Sequence, residues 1–148
     1  MKGRLDPSLD EFLQQFELVK PLNDQTDGFW DSYDRTALWL GHRISVSIMA
    51  RSVSEEILVL YQKIFAEPEK YDTMWRQFAV AELLPQMRDE SENEPLAEQH
   101  MLQELTVGTL SFGDNKDGLA MVWYSFPERS IEVLLDKSGT PIWAGTED

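Results

Sequence analysis

Leu119-Ala120-Met121-Val122-Trp123-Tyr124-Ser125-Phe126, Pro127-Glu128, Arg129-Ser130-Ile131-Glu132-Val133-Leu134-Leu135, Asp136-Lys137-Ser138-Gly139 and Pro141-Ile142-Trp143-Ala144 make up most of the chain's last third. Leu119, Met121 and Trp123 interleave with Ala120, Val122, Tyr124 and Phe126, and beyond Pro127-Glu128 the apolar residues Ile131, Val133 and Leu135 recur on one face. Period-two alternation cut by turn residues is the mark of a strand meander. Asp136-Lys137-Ser138-Gly139 predicts a type I turn with Gly139 in the left-handed position, which reverses the chain into Pro141-Ile142-Trp143-Ala144. With a first strand over Leu105–Phe112, a four-stranded meander spans about residues 105–144. One apolar face of such a sheet must be covered, and the upstream segments are what can cover it.

Those upstream segments read as helices and a hairpin. Asp6-Pro7 starts a helix over about residues 6–17, with Leu9, Phe12, Leu13 and Phe16 on one stripe. The polar stretch from Asn23 to Gly28 predicts a loop. A strand or hairpin is expected over about 36–51, turning at Gly41, with Ile44, Val46, Ile48 and Ala50 facing one way. Ser52-Val53-Ser54-Glu55 matches a capping box and predicts a helix from Val53 to Ala66. A second helix should run from Glu69 and end or kink near Leu84, because Pro85 removes an internal hydrogen bond. The pair together occupies about 53–87, joined tightly at Glu67-Pro68. Ile57, Tyr61, Ile64, Trp75 and Phe78 are its predicted core residues. The acidic run Asp89 to Glu94 reads as an exposed connection, followed by a short helix over Leu96–Gln103. The expectation is one α+β domain over 1–148: an antiparallel sheet of about four to six strands, a helical hairpin packed on one face, and a short N-terminal helix.

Charge and composition limit the function. Thirteen Lys and Arg against twenty-seven Asp and Glu leave a net charge of −14, which repels nucleic acid and anionic lipid at long range. The absence of cysteine removes disulfides, thiolate metal sites and a cysteine nucleophile, and fits a reducing cytoplasm. Met1 to Pro7 is followed by no apolar run of the kind a signal peptide or anchor needs. A cytoplasmic, bacterial-type protein with no membrane or nucleic-acid partner is the expectation.

Chemical motifs are sparse. Gly113 to Gly118 has calcium-loop residue types, yet an EF-hand register puts Gly113 at the first ligand position and Tyr124 where the bidentate Glu belongs. A hairpin loop is the simpler reading. His42 and His100 have no second ligand at metal spacing. Ser45, Ser47 and Ser125 lie outside any nucleophile elbow, and neither a P-loop nor Gly-x-Gly-x-x-Gly is present. No cofactor, metal or catalytic residue is therefore expected.

The element order is a loop aromatic at Phe29-Trp30, the strand Arg43-Ile44-Ser45-Val46-Ser47-Ile48, a helical pair ending at Met87, a short helix, and a meander closing through Val133 to Ile142. It resembles a group of small uncharacterised bacterial α+β domains, some of which occur beside toxin genes and are described as immunity-like. The resemblance runs from about Phe16 onward and carries no catalytic signature. The charge of −14, which would steer a cationic partner, makes a non-enzymatic acidic binding protein the leading expectation, in its most concrete form an immunity-type inhibitor of a basic toxin, set against a housekeeping domain that is acidic only for solubility and an enzyme of an unfamiliar class. A basic protein partner would meet Asp24, Asp27, Asp31 and Asp89, Glu90, Glu92, Glu94 on loops; Trp30 is either tucked down as a lid, the usual fate of a loop aromatic, or presented as the aromatic anchor of that patch.

Overall fold

A computed structural model describes residues 7–20, 31–90, 98–113, 118–126 and 129–147. The chain runs α1 (Pro7–Leu13), β1 (Glu17–Val19), β2 (Ser32–Trp39), β3 (His42–Met49), α2 (Glu55–Ala66), α3 (Pro68–Glu90), α4 (Glu98–Glu104), β4 (Thr106–Phe112), β5 (Ala120–Phe126), β6 (Arg129–Leu135) and β7 (Pro141–Glu147). This is an α+β fold in which seven strands form one sheet in chain order. Helices α1 to α4 contribute to the single core on one face of that sheet.

The meander forms as its alternation requires. Val122 pairs with Val133 and Tyr124 with Ile131, so the inward residues of β5 and β6 meet in register. Asp136 builds the turn that follows: its carboxylate accepts from the Ser138 and Thr140 amides at 2.8 and 3.0 Å. Gly139 takes φ +82°, the left-handed position a glycine adopts without steric cost. Its carbonyl accepts from the Trp75 indole N–H at 2.8 Å, which fastens the turn to α3. In β4 the register to β5 shifts between Val107 and Thr109. Gly108 is the extra residue of that bulge, and it lets Val107 and Leu110 both face the core despite their odd spacing.

Several sequence expectations need correction. The sheet has seven strands rather than four to six, and β3 pairs with β4 in parallel. The cause is the connection: three helices carry the chain from the end of β3 back to its start, and a strand re-entering after such a crossover runs parallel. The hairpin begins at Ser32, four residues before the expected start, and turns through Leu40 (φ 50°) and Gly41 (φ 86°), the two positive angles of a type I′ turn. The capping box at Ser52 does not form. Ala50–Ser52 is a short 3₁₀ turn, and Ser54 caps α2 by accepting from the Ile57 amide at 3.3 Å. Helix α3 continues through Pro85 to Glu90. Proline there removes one hydrogen bond, an expense offset by burial of Leu83 and Leu84 in the turn before it.

Of the predicted helical core, Ile57, Tyr61, Ile64 and Trp75 are buried, while Phe78 is only partly buried. The interior is aromatic. Trp39 stacks on Trp75 with centroids 5.4 Å apart and planes within 4°, and Phe65 meets Trp39 edge-on. Phe12 and Phe16 pack edge-on against Tyr61, which docks α1 on α2. Arg35, from β2, covers the Phe16 ring at 5.5 Å and donates to Gln15 and to the Tyr61 hydroxyl.

Candidate functional site

Two features of the molecule have the form of a site. The first is a cleft of about 460 Å³ between the β2–β3 turn, the first half of α3 and the α4–β4 junction. Trp39, Asp72, Leu105 and Val107 form its buried lining, with His42, Gln103 and Thr106 at the exposed rim. Asp72 stands at its centre, and both of its oxygens are occupied. Oδ1 accepts from Trp39 Nε1 at 3.2 Å and from the Tyr124 hydroxyl at 3.5 Å, while Oδ2 accepts from Arg76 Nε at 2.6 Å. Arg76 in turn donates to the carbonyls of Leu102 and Leu105 and lies 5.3 Å from the Tyr124 ring centroid.

This geometry favours a structural clamp over a catalytic group. The last carbonyls of a helix lack intrahelical donors, and a cation at that end is also favoured by the helix dipole. Arg76 supplies both to α4, and Asp72 holds Arg76 in place from one turn earlier on α3. A carboxylate whose two oxygens are engaged is a poor general base. Burial, reinforced by the Asp72 charge, raises the Tyr124 pKa well above 10, so its hydroxyl stays protonated and acts as a donor. Among the described residues no group of three or more His, Cys, Asp or Glu is arranged to hold a metal.

The second feature is the sheet face turned away from the helices. Side chains directly opposite in register place Met121, Leu134 and Trp143 in one row across β5, β6 and β7. Trp123 follows in the next row, flanked by Thr109 and Glu132. None of these apolar side chains is among the fully buried core residues: Met121, Trp123 and Leu134 are partly exposed and Trp143 is 49% exposed. The same face continues through paired hydroxyls, Ser45 with Thr109 and Ser47 with Ser111, to Asp34 and Glu17 on β2 and β1. Arg43 stands at its other end, opposite the exposed Leu38.

The residues singled out from sequence for a partner are not assembled by the described structure. Trp30, Asp24, Asp27, Glu92 and Glu94 lie outside the described residues. Asp31 is described and is buried, at 8% exposure, with its carbonyl accepting from the Ala50 amide at 2.9 Å. Asp89 and Glu90 belong to the last turn of α3 rather than to a loop, because the helix runs on past Pro85. Residues of the calcium-like loop between Gly113 and Gly118 also fall outside the described set, but the Gly113 amide donates to the Leu119 carbonyl at 2.9 Å, closing the β4–β5 connection as a hairpin.

Sequence reasoning passed over Asp72 and Arg76, although their four-residue spacing on a helix was a signal for an ion pair. It named Trp123 and Trp143 without assigning them a face. Pro141-Ile142-Trp143-Ala144 has no alternation of its own, and the register shift around Ile142 decides that Trp143 points outward. Comparison with known proteins returns no match: no family model, curated protein or solved structure is similar to this chain.

Proposed function

We propose that this protein is a non-enzymatic binding protein that captures a basic protein partner, with neutralisation of a cationic toxin, in the manner of an immunity protein, as its most concrete form. The observation that carries this reading is the outward-facing apolar row Met121–Leu134–Trp143, partly exposed at Met121 and Leu134 and 49% exposed at Trp143, on the sheet of a chain whose net charge is −14. Exposed apolar side chains gathered on one face mark interaction surfaces more often than isolated ones do. Excess negative charge speeds encounter with a cation and rejects nucleic acid and anionic lipid. No described helix is long and apolar enough to cross a membrane. The Asp72 carboxylate and the Arg76 guanidinium in the cleft hold α3, α4 and β2 together, which favours a structural role for this buried pair.

The test is affinity capture from the native host's extract with the intact chain as bait, at about 50 mM and about 500 mM salt, which bracket strong and weak electrostatic attraction. A cationic protein retained at the lower salt, and whose activity the chain suppresses, is the expected result. Retention of neutral or acidic proteins alone would refute the proposal, as would a cationic protein bound with unchanged activity in the toxin form of it.

A further inference from the structure

We infer that the partner docks on the helix-free face of the sheet, over Met121, Leu134, Trp143 and Trp123, and that it does so with a basic segment carrying apolar side chains at its centre. The inference rests on the binding role proposed above and adds its location and the chemistry of its occupant.

The face is built as a platform. Glycines lie beneath its large side chains: a Cβ on Gly145 would overlap the Trp143 ring, and one on Gly118 would fall 2.8 Å from Leu134 Cγ. Trp143 and Leu134 therefore lie low on the backbone instead of standing off it, presenting broad ring and methyl surface to whatever covers them. Trp123 sits beside them in the neighbouring row, next to Glu132. Aromatic side chains with an exposed face are the commonest anchors of protein interfaces, since they bury large area with few rotatable bonds.

Charge selects the occupant. Among the described residues, register places Glu132 beside the patch and Asp34 and Glu17 at the far end of this face, with Arg43 as its basic residue. A second copy of the chain would bring another charge of −14 against the first, and like charges set face to face oppose association. A cationic segment meets attraction instead, and its apolar centre finds the half-exposed Trp143 with the partly exposed Leu134 and Met121 beside it. The hydroxyls of Ser45, Ser47, Thr109 and Ser111 border the patch and offer a partner's polar groups hydrogen-bonding sites without a large desolvation cost.

Two synthetic peptides of about eight residues, near strand length, test the inference. One has Lys at both ends and Leu at its centre; the other replaces each Leu by Ser at equal charge. Binding is followed by fluorescence anisotropy and by amide shifts of the labelled protein, for the native chain and for Trp143→Ser. The native chain should prefer the Leu peptide by about tenfold or more, with shifts centred on β5 to β7, and Trp143→Ser should abolish that preference. Gly145→Ala, which keeps the indole but displaces it, should reduce the preference part-way. Equal binding of both peptides, or a preference untouched by Trp143→Ser, overturns the location while leaving capture of cations standing. If neither peptide binds at about 50 mM salt, where screening is weakest, the capture reading falls with it. A native chain that sediments as a dimer with the same amides protected overturns the choice of occupant.

Discussion

Removing the Asp72 carboxylate is the sharpest single test of what holds α3 and α4 to the sheet. Asp72 is 6% exposed and serves three donors at once, so Asp72→Ala strands each of them. The Trp39 indole N–H lies in the core at 2% exposure and loses its acceptor, an orphaning that costs about 1–3 kcal/mol. Breaking a buried ion pair from one side costs about 3–5 kcal/mol, but Arg76 keeps 22% side-chain exposure and two carbonyl partners, which lowers its share. The expected total is about 3 kcal/mol. Asp72→Asn retains an oxygen for Trp39 and Tyr124 and should cost about half as much. Arg76→Met alone takes the donor from the Leu102 and Leu105 carbonyls and the counter-charge from Asp72, and adding it to Asp72→Ala should cost less than the sum of the two, because the second change removes the charge the first one stranded. Urea unfolding followed by tryptophan fluorescence gives each value from the midpoint and slope. A loss below about 1 kcal/mol for Asp72→Ala, or strict additivity with Arg76→Met, would show that the network carries little of the fold's stability.

Other expectations follow from individual contacts. Gly139→Ala combines a left-handed backbone with a Cβ only 2.9 Å from the Tyr71 ring, whereas Gly41→Ala has φ +86° and nothing within 4 Å, so thermal unfolding should show a loss of about 1 kcal/mol for Gly41→Ala and clearly more for Gly139→Ala. Trp75→Ala removes the stacking partner of Trp39 and the bond to Gly139 and should cost at least about 3–5 kcal/mol by urea unfolding; a partly buried Phe78→Ala should fall below that range. Burial is the main cause that raises the pKa of both Tyr61 and Tyr124 above 10.0, so folding favours their neutral form. Their stabilising effect is complete below pH 10 and is lost as pH rises past it; Tyr124→Phe should flatten that alkaline loss, measured by denaturation alongside tyrosinate absorbance.

Local chemistry makes part of this fold legible in the sequence alone. The Asp136–Gly139 turn is written in four residues, since an Asp that can accept two amides and a Gly that can turn left-handed need nothing from the rest of the chain. The alternation of Ile131, Val133 and Leu135 likewise states which face of β6 is buried, and the stripe Ile57, Tyr61 and Ile64 states it for α2. The capping box at Ser52 shows where such reading misleads: the pattern is present, but the chain leaves β3 through a 3₁₀ turn and the helix starts two residues later, at a different serine.

The candidate interface is much less legible. Trp30 and most of the acids chosen from loop composition fall outside the described residues, Asp89 and Glu90 belong to the last turn of α3, and Asp31 is buried, because composition predicts a loop without saying what lies against it. Trp143 becomes a candidate only when β7 is laid beside β6 with its register shift.

Periodicity and turn chemistry in this sequence thus determine an α+β fold, its helices, its closing meander and the inward faces of β3 and β6, because those depend on interactions between residues a few positions apart. Only the tertiary structure decided that β3 and β4 run parallel, that Asp72 and Arg76 tie α3 to the end of α4, and that Met121, Leu134, Trp123 and Trp143 share the sheet face turned away from the helices. Strand alternation says which residues point the same way along one strand, but not which strands are neighbours; a surface made from β5, β6 and β7 together exists only once their backbone hydrogen bonds have set the register between them.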